Sequence, residues 1–412
     1  MCLGCFNVKK IVVCMLSLIM SFNVFTMSIW ANESRISAEC DISDINVPIS
    51  TKTENSAIGK KLEIKAKSSI LMEPNTGRIL YEDNADEKLP PASITKIMSL
   101  LLVMEALKRG DFTLDTKVTA SEHACSMGGS QIWLEPGECM TVHELLKATV
   151  IASANDACVA LGELISGSEE GFVALMNERA KELGMNNTTF KNCTGLDMEG
   201  HLTSAHDVAI MSCELIKHEL IKDYSTVWMD SLRDGKSELV NTNKLVRFYK
   251  GTTGLKTGTT SIAKYCLSAS AQRDGLSLVA VVLAGETSND RFEGAKKLLD
   301  YGFANYSFSE IKADLKEKEV SLKGGTEKTV SVKADDTVNV LLPKTEKSGI
   351  KKETEWKENI SAPIEKGDIL GYVNIYNGKE QIGRIPILAQ NKVKKMNFGI
   401  SFYRILKGLF KL

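Results

Sequence analysis

The 412-residue sequence lacks a net charge of any size, because its 51 Lys and Arg nearly balance its 52 Asp and Glu. Its bulk composition therefore gives no indication of a nucleic-acid partner. None of the five histidines stands in the context of a catalytic triad, and a Gly-x-Ser-x-Gly elbow is absent. His143-Glu144 begins like a zinc-protease signature, but the residue four positions beyond His143 is Lys147, so the second ligand is missing. We expect no metal ion and no other cofactor.

Charge is also scarce near the N-terminus. After Lys10 the segment 11–27 carries almost none, and residues 1–31 are typical of a secretory signal peptide. Ile29 does not suit the cleavage rule, so an uncleaved anchor stays open. In either case we expect the rest of the chain to be exported, beginning with a polar spacer over 32–60.

Cysteines beyond the signal are few and odd in number, so at least one thiol is free unless it pairs between chains. Several of them lie in apolar patterns, where cysteine acts as a small hydrophobic residue. They are Cys40, Cys125, Cys139, Cys158, Cys193, Cys213 and Cys266.

A buried helix is predicted to begin at the stretch Pro91-Ala92-Ser93-Ile94-Thr95-Lys96. The run that follows is too apolar for a surface helix and ends in Lys108-Arg109-Gly110, a basic last turn with a C-cap glycine. Residues three apart on a helix share a face, so the Lys96 amine can reach the Ser93 hydroxyl. The positive end of the helix dipole favours a developing alkoxide. Ser93 is therefore the candidate nucleophile.

Around this helix the pattern predicts a mixed domain over residues 61–306. Alternating runs predict a hairpin from Leu62 to Tyr81, and a second hairpin turns at Asp274-Gly275. Thr141 to Glu144 forms a capping box that opens a helix through Ile151, the first of a helical cluster. From 307 to 389, short alternating runs between Gly, Asp and Lys clusters predict a small β-domain.

The last segment, 390–412, has no acidic residue from Lys392 onward. Phe398, Phe402 and Ile405 fall on one face at helical spacing, which indicates a basic amphipathic helix lying in a membrane interface. A helix docked on its own domain is the alternative.

A serine and lysine three apart make a weak motif, since Ser261-Lys264, Ser309-Lys312 and Ser348-Lys351 match as well. Two companions strengthen the Ser93 pair. Ser153-Ala154-Asn155 falls at a break between helices, and Lys256-Thr257-Gly258 falls on a strand.

Together the three motifs resemble those of penicillin-binding proteins and serine β-lactamases. The closer resemblance is to the low-molecular-mass D-alanyl-D-alanine carboxypeptidases, and it extends through Gly128-Gly129-Ser130, Asn241-Thr242-Asn243 and Leu298 to Phe303. The resemblance implies an α/β (α+β) penicillin-binding-protein-like transpeptidase fold. This fold has an antiparallel sheet with a helical cluster, a small C-terminal all-β domain and a terminal amphipathic helix.

A serine hydroxyl is a poor nucleophile, so Lys96 must be neutral enough to act as its base, which burial and a second cation, Lys256, would promote. Ser153 can relay the proton to the leaving amine. Asn155 can hold Lys96 and the substrate amide.

The third motif suits the other end of the substrate. Lys256 and the Thr257 hydroxyl match a terminal carboxylate, and Gly258 lets the substrate lie against the strand. The resemblance implies that the oxyanion hole is formed by the backbone N–H of Ser93 and of Thr259. Arg291 stands where relatives often place a carboxylate-binding arginine, with a solvated helix arginine as the alternative.

These expectations describe an exported, penicillin-binding serine carboxypeptidase that releases D-alanine from peptidoglycan stem peptides through an acyl-enzyme, with β-lactams as inhibitors. We expect it on the outer face of the cytoplasmic membrane, attached by the terminal helix. A serine β-lactamase and a catalytically idle cell-wall binding protein are the alternatives. The first has no use for the β-domain and basic helix, and no Glu can be assigned as its deacylating base; the second does not explain why every motif residue is intact.

Overall fold

The computed structural model describes residues 62–334, 337–345 and 349–410, without the side chains of 406–410. The signal peptide and the spacer predicted over 1–60 lie outside this part. The strands are β1 (Ser68–Glu73), β2 (Arg78–Asp83), β3 (Lys117–Thr119), β4 (Cys139–Thr141), β5 (Met229–Leu232), β6 (Ser237–Val240), β7 (Thr252–Thr260), β8 (Lys264–Arg273), β9 (Leu276–Gly285), β10 (Tyr306–Lys312), β11 (Glu319–Ser321), β12 (Thr329–Ala334), β13 (Thr337–Pro343), β14 (Ile350–Trp356), β15 (Ile369–Asn377) and β16 (Glu380–Ala389).

The helices are α1 (Lys96–Arg109), α2 (Glu122–Cys125), α3 (Val142–Lys147), α4 (Asn155–Ser166), α5 (Glu169–Glu182), α6 (Ala205–Ile216), α7 (Lys222–Ser225), α8 (Leu245–Phe248), α9 (Ser288–Asn305) and α10 (Phe398–Phe410). Short 3₁₀ turns at Ala92–Thr95 and Glu219–Ile221 precede α1 and α7, and a π-type turn at Ala148–Ala152 follows α3.

The first sheet is antiparallel, in the order β2-β1-β9-β8-β7. The β8–β9 hairpin turns at Asp274-Gly275 with positive φ at both residues, as the sequence predicts. Helix α9 packs on one face of this sheet, and an extensive apolar core separates the other face from α1 and its neighbours. Strand β7, which carries the third motif, is at the edge of the sheet.

Helix α1 forms as its sequence predicts. Its apolar residues are buried, and Gly110 ends it at φ +81. The Thr141 capping box is present at the start of α3, but the helix does not continue to Ile151. It ends at Lys147 because the chain widens into the π-type turn, which delivers Ser153 in the left-handed region at φ +65.

The C-terminal part is all-β, with one sheet in the order β11-β12-β16-β15-β14 and a β10–β13 pair. Its core is apolar. Arg78 of β2 reaches it, donating to the Leu341 carbonyl at 3.3 Å and lying 3.6 Å from the Glu380 carboxylate. In the part of the chain that the structure describes, no helix is both long and apolar enough to cross a membrane.

Candidate active site

Ser93 lies half-buried in the 3₁₀ turn that leads into α1, and two glycines press against this turn from different segments. A β-carbon at Gly195 would lie 1.8 Å from the Ala92 carbonyl oxygen. One at Gly258 would lie 2.9 Å from the Pro91 oxygen and 3.0 Å from the Ser93 nitrogen. The backbone of the serine turn therefore requires glycine at position 258, in addition to the space that the resemblance implies for the substrate.

The Lys96 amine is fully buried and has three oxygen neighbours. Its Nζ lies 3.2 Å from Ser93 Oγ, 2.5 Å from Asn155 Oδ1 and 2.7 Å from the Thr194 carbonyl oxygen. The last two oxygens can only accept hydrogen bonds. A neutral amine that donates its two N–H groups to them therefore has its lone pair directed at the Ser93 hydroxyl.

The surroundings lower the pKa of both lysines at this site. Burial is the largest cause that lowers the pKa of Lys96. Burial, and then repulsion from the Lys96 and Arg291 cations, holds the pKa of Lys256 well below its ordinary value. Burial is thus what lowers the pKa of Lys96, and the repulsion between the two cations acts on the pKa of Lys256, so the site disfavours two charged lysines at once.

Sequence reasoning missed the Thr194 carbonyl. The backbone of the preceding residue, Cys193, is held on both sides: its carbonyl accepts from Ser99 Oγ at 2.7 Å and from Cys158 Sγ at 3.4 Å, and its N–H donates to Glu169 Oε1 at 3.0 Å. Ser99 and Cys158 each lie one helical turn beyond a motif residue, Lys96 and Asn155. A backbone oxygen has no side-chain signature, so no sequence signal could have identified it.

The second motif occupies the break between the π-type turn and α4. Ser153 is buried, and its left-handed backbone makes the turn into the helix. Asn155 begins α4, and its Nδ2 donates to the Gly128 carbonyl at 2.6 Å while its backbone N–H donates to the Ser130 carbonyl at 2.7 Å. These bonds fix which end of the amide faces Lys96.

The third motif lies on β7. Lys256 Nζ donates to the carbonyl of Thr257 at 3.0 Å, and the Thr257 hydroxyl donates to Thr242 Oγ1 at 2.7 Å. Lys256 is fully buried and Thr257 nearly so. The structure thus brings all three motifs to the serine turn, since Gly258 touches it directly.

The burial of Arg291 excludes one of the two sequence-based expectations. The side chain is 8% exposed, so it is not a solvated helix residue. Its Nη1 donates to the Gly258 carbonyl at 3.0 Å and to Thr259 Oγ1 at 2.9 Å, so this guanidinium nitrogen is bound to strand β7. It lies behind the third motif and supports it.

Among the residues that the structure describes, no group of three or more His, Cys, Asp and Glu side chains could hold a metal ion. The His143 ring instead lies 2.9 Å from the Tyr224 hydroxyl. The described cysteines are free thiols, and four of them are buried: Cys158, Cys193, Cys213 and Cys266.

A pocket of about 390 Å³ adjoins the serine turn, lined mainly by apolar groups that include Pro91, Leu196, Met198 and Ile262. Its lining also includes Ala92, the residue before Ser93, and Gly195.

This fold and cleft define a low-molecular-mass penicillin-binding protein. Penicillin-binding protein 5 from Haemophilus influenzae superposes with a TM-score of 0.72 at 31% identity, over 82% of this chain and 100% of that one. A family model for D-alanyl-D-alanine carboxypeptidase matches residues 51–287, and one for the C-terminal domain of penicillin-binding protein 5 matches 307–395. The chain belongs to the D-alanyl-D-alanine carboxypeptidase family.

Two further relatives illustrate the likeness. The D-alanyl-D-alanine carboxypeptidase DacF of Bacillus subtilis (strain 168) is 47% identical over 84% of this chain and 90% of its own length. Penicillin-binding protein D2 of Listeria monocytogenes, solved with ampicillin bound, is 31% identical over 59% of this chain and 100% of its own, with a TM-score of 0.54. The function of this chain is accordingly that of a D-alanyl-D-alanine carboxypeptidase, and its C-terminal part is the family's all-β domain.

Proposed function

We propose that the carboxypeptidase is serine-type and works through an acyl-enzyme on Ser93. The observation that carries this proposal is the Lys96 amine, 3.2 Å from Ser93 Oγ with its other contacts to two pure acceptors. Lys96 takes the hydroxyl proton as Oγ attacks the carbonyl of the penultimate D-alanine. Burial supports this role because it favours the neutral amine.

The terminal carboxylate of the substrate supplies a partner for the Lys256 amine. Lys256 and the Thr257 hydroxyl bind the terminal carboxylate, which restores the charge that burial opposes on Lys256. The proton on Lys256 is thus paired with the substrate, while burial favours the neutral amine of Lys96.

The oxyanion of the tetrahedral intermediate is held by the backbone N–H groups of Ser93 and Thr259. Arg291 keeps the second of these in place through its bonds to Gly258 and Thr259. When the intermediate collapses, Ser153 passes the proton from Lys96 to the leaving D-alanine amine, while Asn155 holds the substrate amide. Water then hydrolyses the ester and the Ser93 hydroxyl is regenerated.

The substrate we propose is a peptidoglycan stem pentapeptide, with β-lactams as acylating inhibitors. The enzyme acts outside the cytoplasm, after removal of residues 1–31, through a catalytic domain over 61–306. The β-domain over 307–389 carries the helix α10 to the membrane surface. In α10 the aromatic side chains of Phe398 and Phe402 are 85% and 52% exposed, which supports burial in a lipid interface.

The β-lactamase alternative is less well supported, because the catalytic part matches a family model for D-alanyl-D-alanine carboxypeptidase and the C-terminal part matches one for the C-terminal domain of penicillin-binding protein 5. The idle binding protein is disfavoured by the Lys96 contacts, which are those of a working base. The Listeria relative was solved with ampicillin bound, which makes a penicillin the natural probe of the proposed nucleophile.

Covalent labelling by fluorescent penicillin and D-alanine release from a defined stem pentapeptide test the proposal. We expect Ser93→Ala to abolish labelling and to lower D-alanine release at least ~10³-fold. Ser261→Ala is the matched control, since it removes the exposed serine of another Ser-x-x-Lys pair. Equal labelling of Ser93→Ala and the unmodified protein would rule out the nucleophile, and rapid penicillin turnover without D-alanine release would favour the β-lactamase.

Membrane attachment is tested by co-sedimentation with anionic lipid vesicles. Removing 392–412 should abolish binding, and Phe398→Ala combined with Phe402→Ala should weaken it, because each ring contributes buried apolar area. If the truncated protein sediments with vesicles as fully as the intact one, α10 is not the anchor.

A further inference from the structure

Trp133 is an aromatic side chain that the fold holds in solvent. It is 74% exposed, while its neighbours Ile132 and Leu134 are both 5% exposed. Its φ of +58 lies in the left-handed region, which bulky residues with a β-carbon avoid. The chain therefore adopts an unfavourable backbone to bury the neighbours and direct the indole outward.

Four hydrogen bonds between this segment and the side chains of Asp156 and Arg233 maintain the conformation. The fully buried Asp156 carboxylate accepts from the N–H of Ile132 and of Leu134, each at 3.1 Å. Arg233 donates to the carbonyl of Ile132 at 2.9 Å and to that of Trp133 at 3.3 Å. Strain that the surroundings fix in this way is characteristic of binding sites.

The same segment contacts the asparagine of the second motif. Asp156 follows Asn155, whose side chain and backbone bind the carbonyls of Gly128 and Ser130. Trp133 lies four residues beyond Gly129, so their Cα atoms are at most about 14 Å apart. The position of Trp133 is thus tied to the catalytic asparagine through both the chain and the Asp156 carboxylate.

We propose that Trp133 is a stacking platform for the sugar that carries the stem peptide, a proposal that rests on the proposed function. In a pentapeptide joined to a sugar at its first residue, four residues separate the scissile bond from the sugar, a span of at most about 14 Å. The peptide span and the chain from Gly129 to Trp133 therefore have the same upper limit.

The surroundings of Trp133 favour a sugar over an apolar side chain. An apolar side chain is best bound in a concave apolar pocket, whereas Trp133 stands alone between buried neighbours. Glu135, exposed two residues on, supplies carboxylate oxygens for hydroxyl groups. A flat aromatic face with a polar rim suits a pyranose ring, which presents C–H bonds on its face and hydroxyls at its edge.

The test compares a free pentapeptide with the same pentapeptide attached to its disaccharide. We expect Trp133→Ala to raise KM for the disaccharide pentapeptide about tenfold, or about 1.4 kcal/mol, with kcat unchanged. Both constants for the free pentapeptide should stay as in the unmodified protein. Trp133→Phe, which keeps an aromatic face, should restore most of the loss, and Phe248→Ala, which removes a 65% exposed ring elsewhere, should change neither substrate.

Equal losses with both substrates, or no change with either, would overturn the sugar platform. Failure of the proposed function gives a different result, because the unmodified protein would then release no D-alanine from either substrate. The platform can still be tested in that case by titrating intrinsic tryptophan fluorescence with the peptide-free disaccharide. A saturable change in the unmodified protein that is absent in Trp133→Ala supports the platform, and no change in either contradicts it.

Discussion

The catalytic cleft and the C-terminal β-domain bury opposite kinds of side chain. Around the cleft the structure buries two lysines, Lys96 and Lys256, with the Asp156 carboxylate and the guanidinium of Arg291. In the β-domain, Asn374 is the only polar or charged side chain buried among the residues described there. Both parts contain antiparallel sheets, so the difference does not come from the type of secondary structure.

This difference shows where the molecule gives up stability for chemistry. Burying a charged group costs free energy unless it is paired, and the two lysines are paired with neutral oxygens and not with carboxylates. The β-domain has no such burden, and its apolar core contributes stability alone. Substitutions in the β-domain should therefore lower stability without changing activity, whereas substitutions in the cleft should change both.

Among the changes that compare the cleft with the β-domain, the largest effect is expected for Gly195→Ala. An added β-carbon would collide with the Ala92 carbonyl and displace the serine turn. We expect kcat/KM to fall about 100-fold and the free energy of unfolding to fall by roughly 3 kcal/mol. Gly110→Ala is the control, because Gly110 also has positive φ but no atom within 4 Å of the added carbon. It should cost about 1 kcal/mol and leave activity intact; similar penicillin acylation rates in both variants would contradict the steric argument.

The next effect compares two buried isoleucines, Ile387 of the β-domain and Ile97 of α1, both 0% exposed. Each change to alanine should lower the free energy of unfolding of its own domain by about 3 kcal/mol in urea denaturation. Ile387→Ala should leave kcat and KM for a soluble peptide unchanged. Ile97→Ala should lower kcat as well, because Ile97 adjoins Lys96. Loss of activity in Ile387→Ala below its unfolding transition would show that the two domains are energetically coupled at the cleft.

A smaller effect concerns Lys256 and pH. Its pKa is lowered in the folded protein, so folding releases a proton between that lowered pKa and the unfolded value of about 10.5. The unfolded state binds more protons in this window, and stability therefore rises with pH. Lys256→Met should remove that slope. The free energy of unfolding of this variant should exceed that of the unmodified protein by about 1 kcal/mol at pH 6, and the difference should shrink as the pH approaches 10.

The measurement is the urea midpoint from pH 6 to pH 10. Lys244→Met, at an exposed position, is the control and should leave the slope unchanged. A parallel pH profile for Lys256→Met and the unmodified protein would mean that Lys256 keeps its proton on folding.

The sequence predicts the parts of this site that depend on side-chain type better than the parts that depend on backbone conformation. Ser93, Lys96 and Asn155 carry their chemistry in side chains, so their types and order identified them. Apolar periodicity continues through Ile151, so it could not reveal the π-type turn that presents Ser153. An arginine on an amphipathic helix gives the same pattern whether it is solvated or buried, and for that reason the strand contacts of Arg291 were not foreseen.

The smallest effect tests the backbone contact that the sequence could not show. Glu169 Oε1 accepts from the Cys193 N–H at 3.0 Å and its other oxygen lies 2.8 Å from His123 Nε2. A charged acceptor makes the stronger hydrogen bond, so Glu169→Gln should loosen the backbone of Cys193, which precedes Thr194. Lys96 would then lose part of its orientation, and kcat should fall about threefold with KM unchanged.

Glu170→Gln is the matched control for this last change, since it removes the same charge from the first turn of α5 at the exposed neighbouring position. The acylation rate with fluorescent penicillin should fall in Glu169→Gln and not in Glu170→Gln. Equal rates would mean that Ser99 and Cys158 alone orient the Thr194 carbonyl. A rise in KM without a change in kcat would mean that Glu169 acts on substrate binding and not on the base. The distinction matters because Lys96 can serve Ser93 only while both of its other acceptors stay in position.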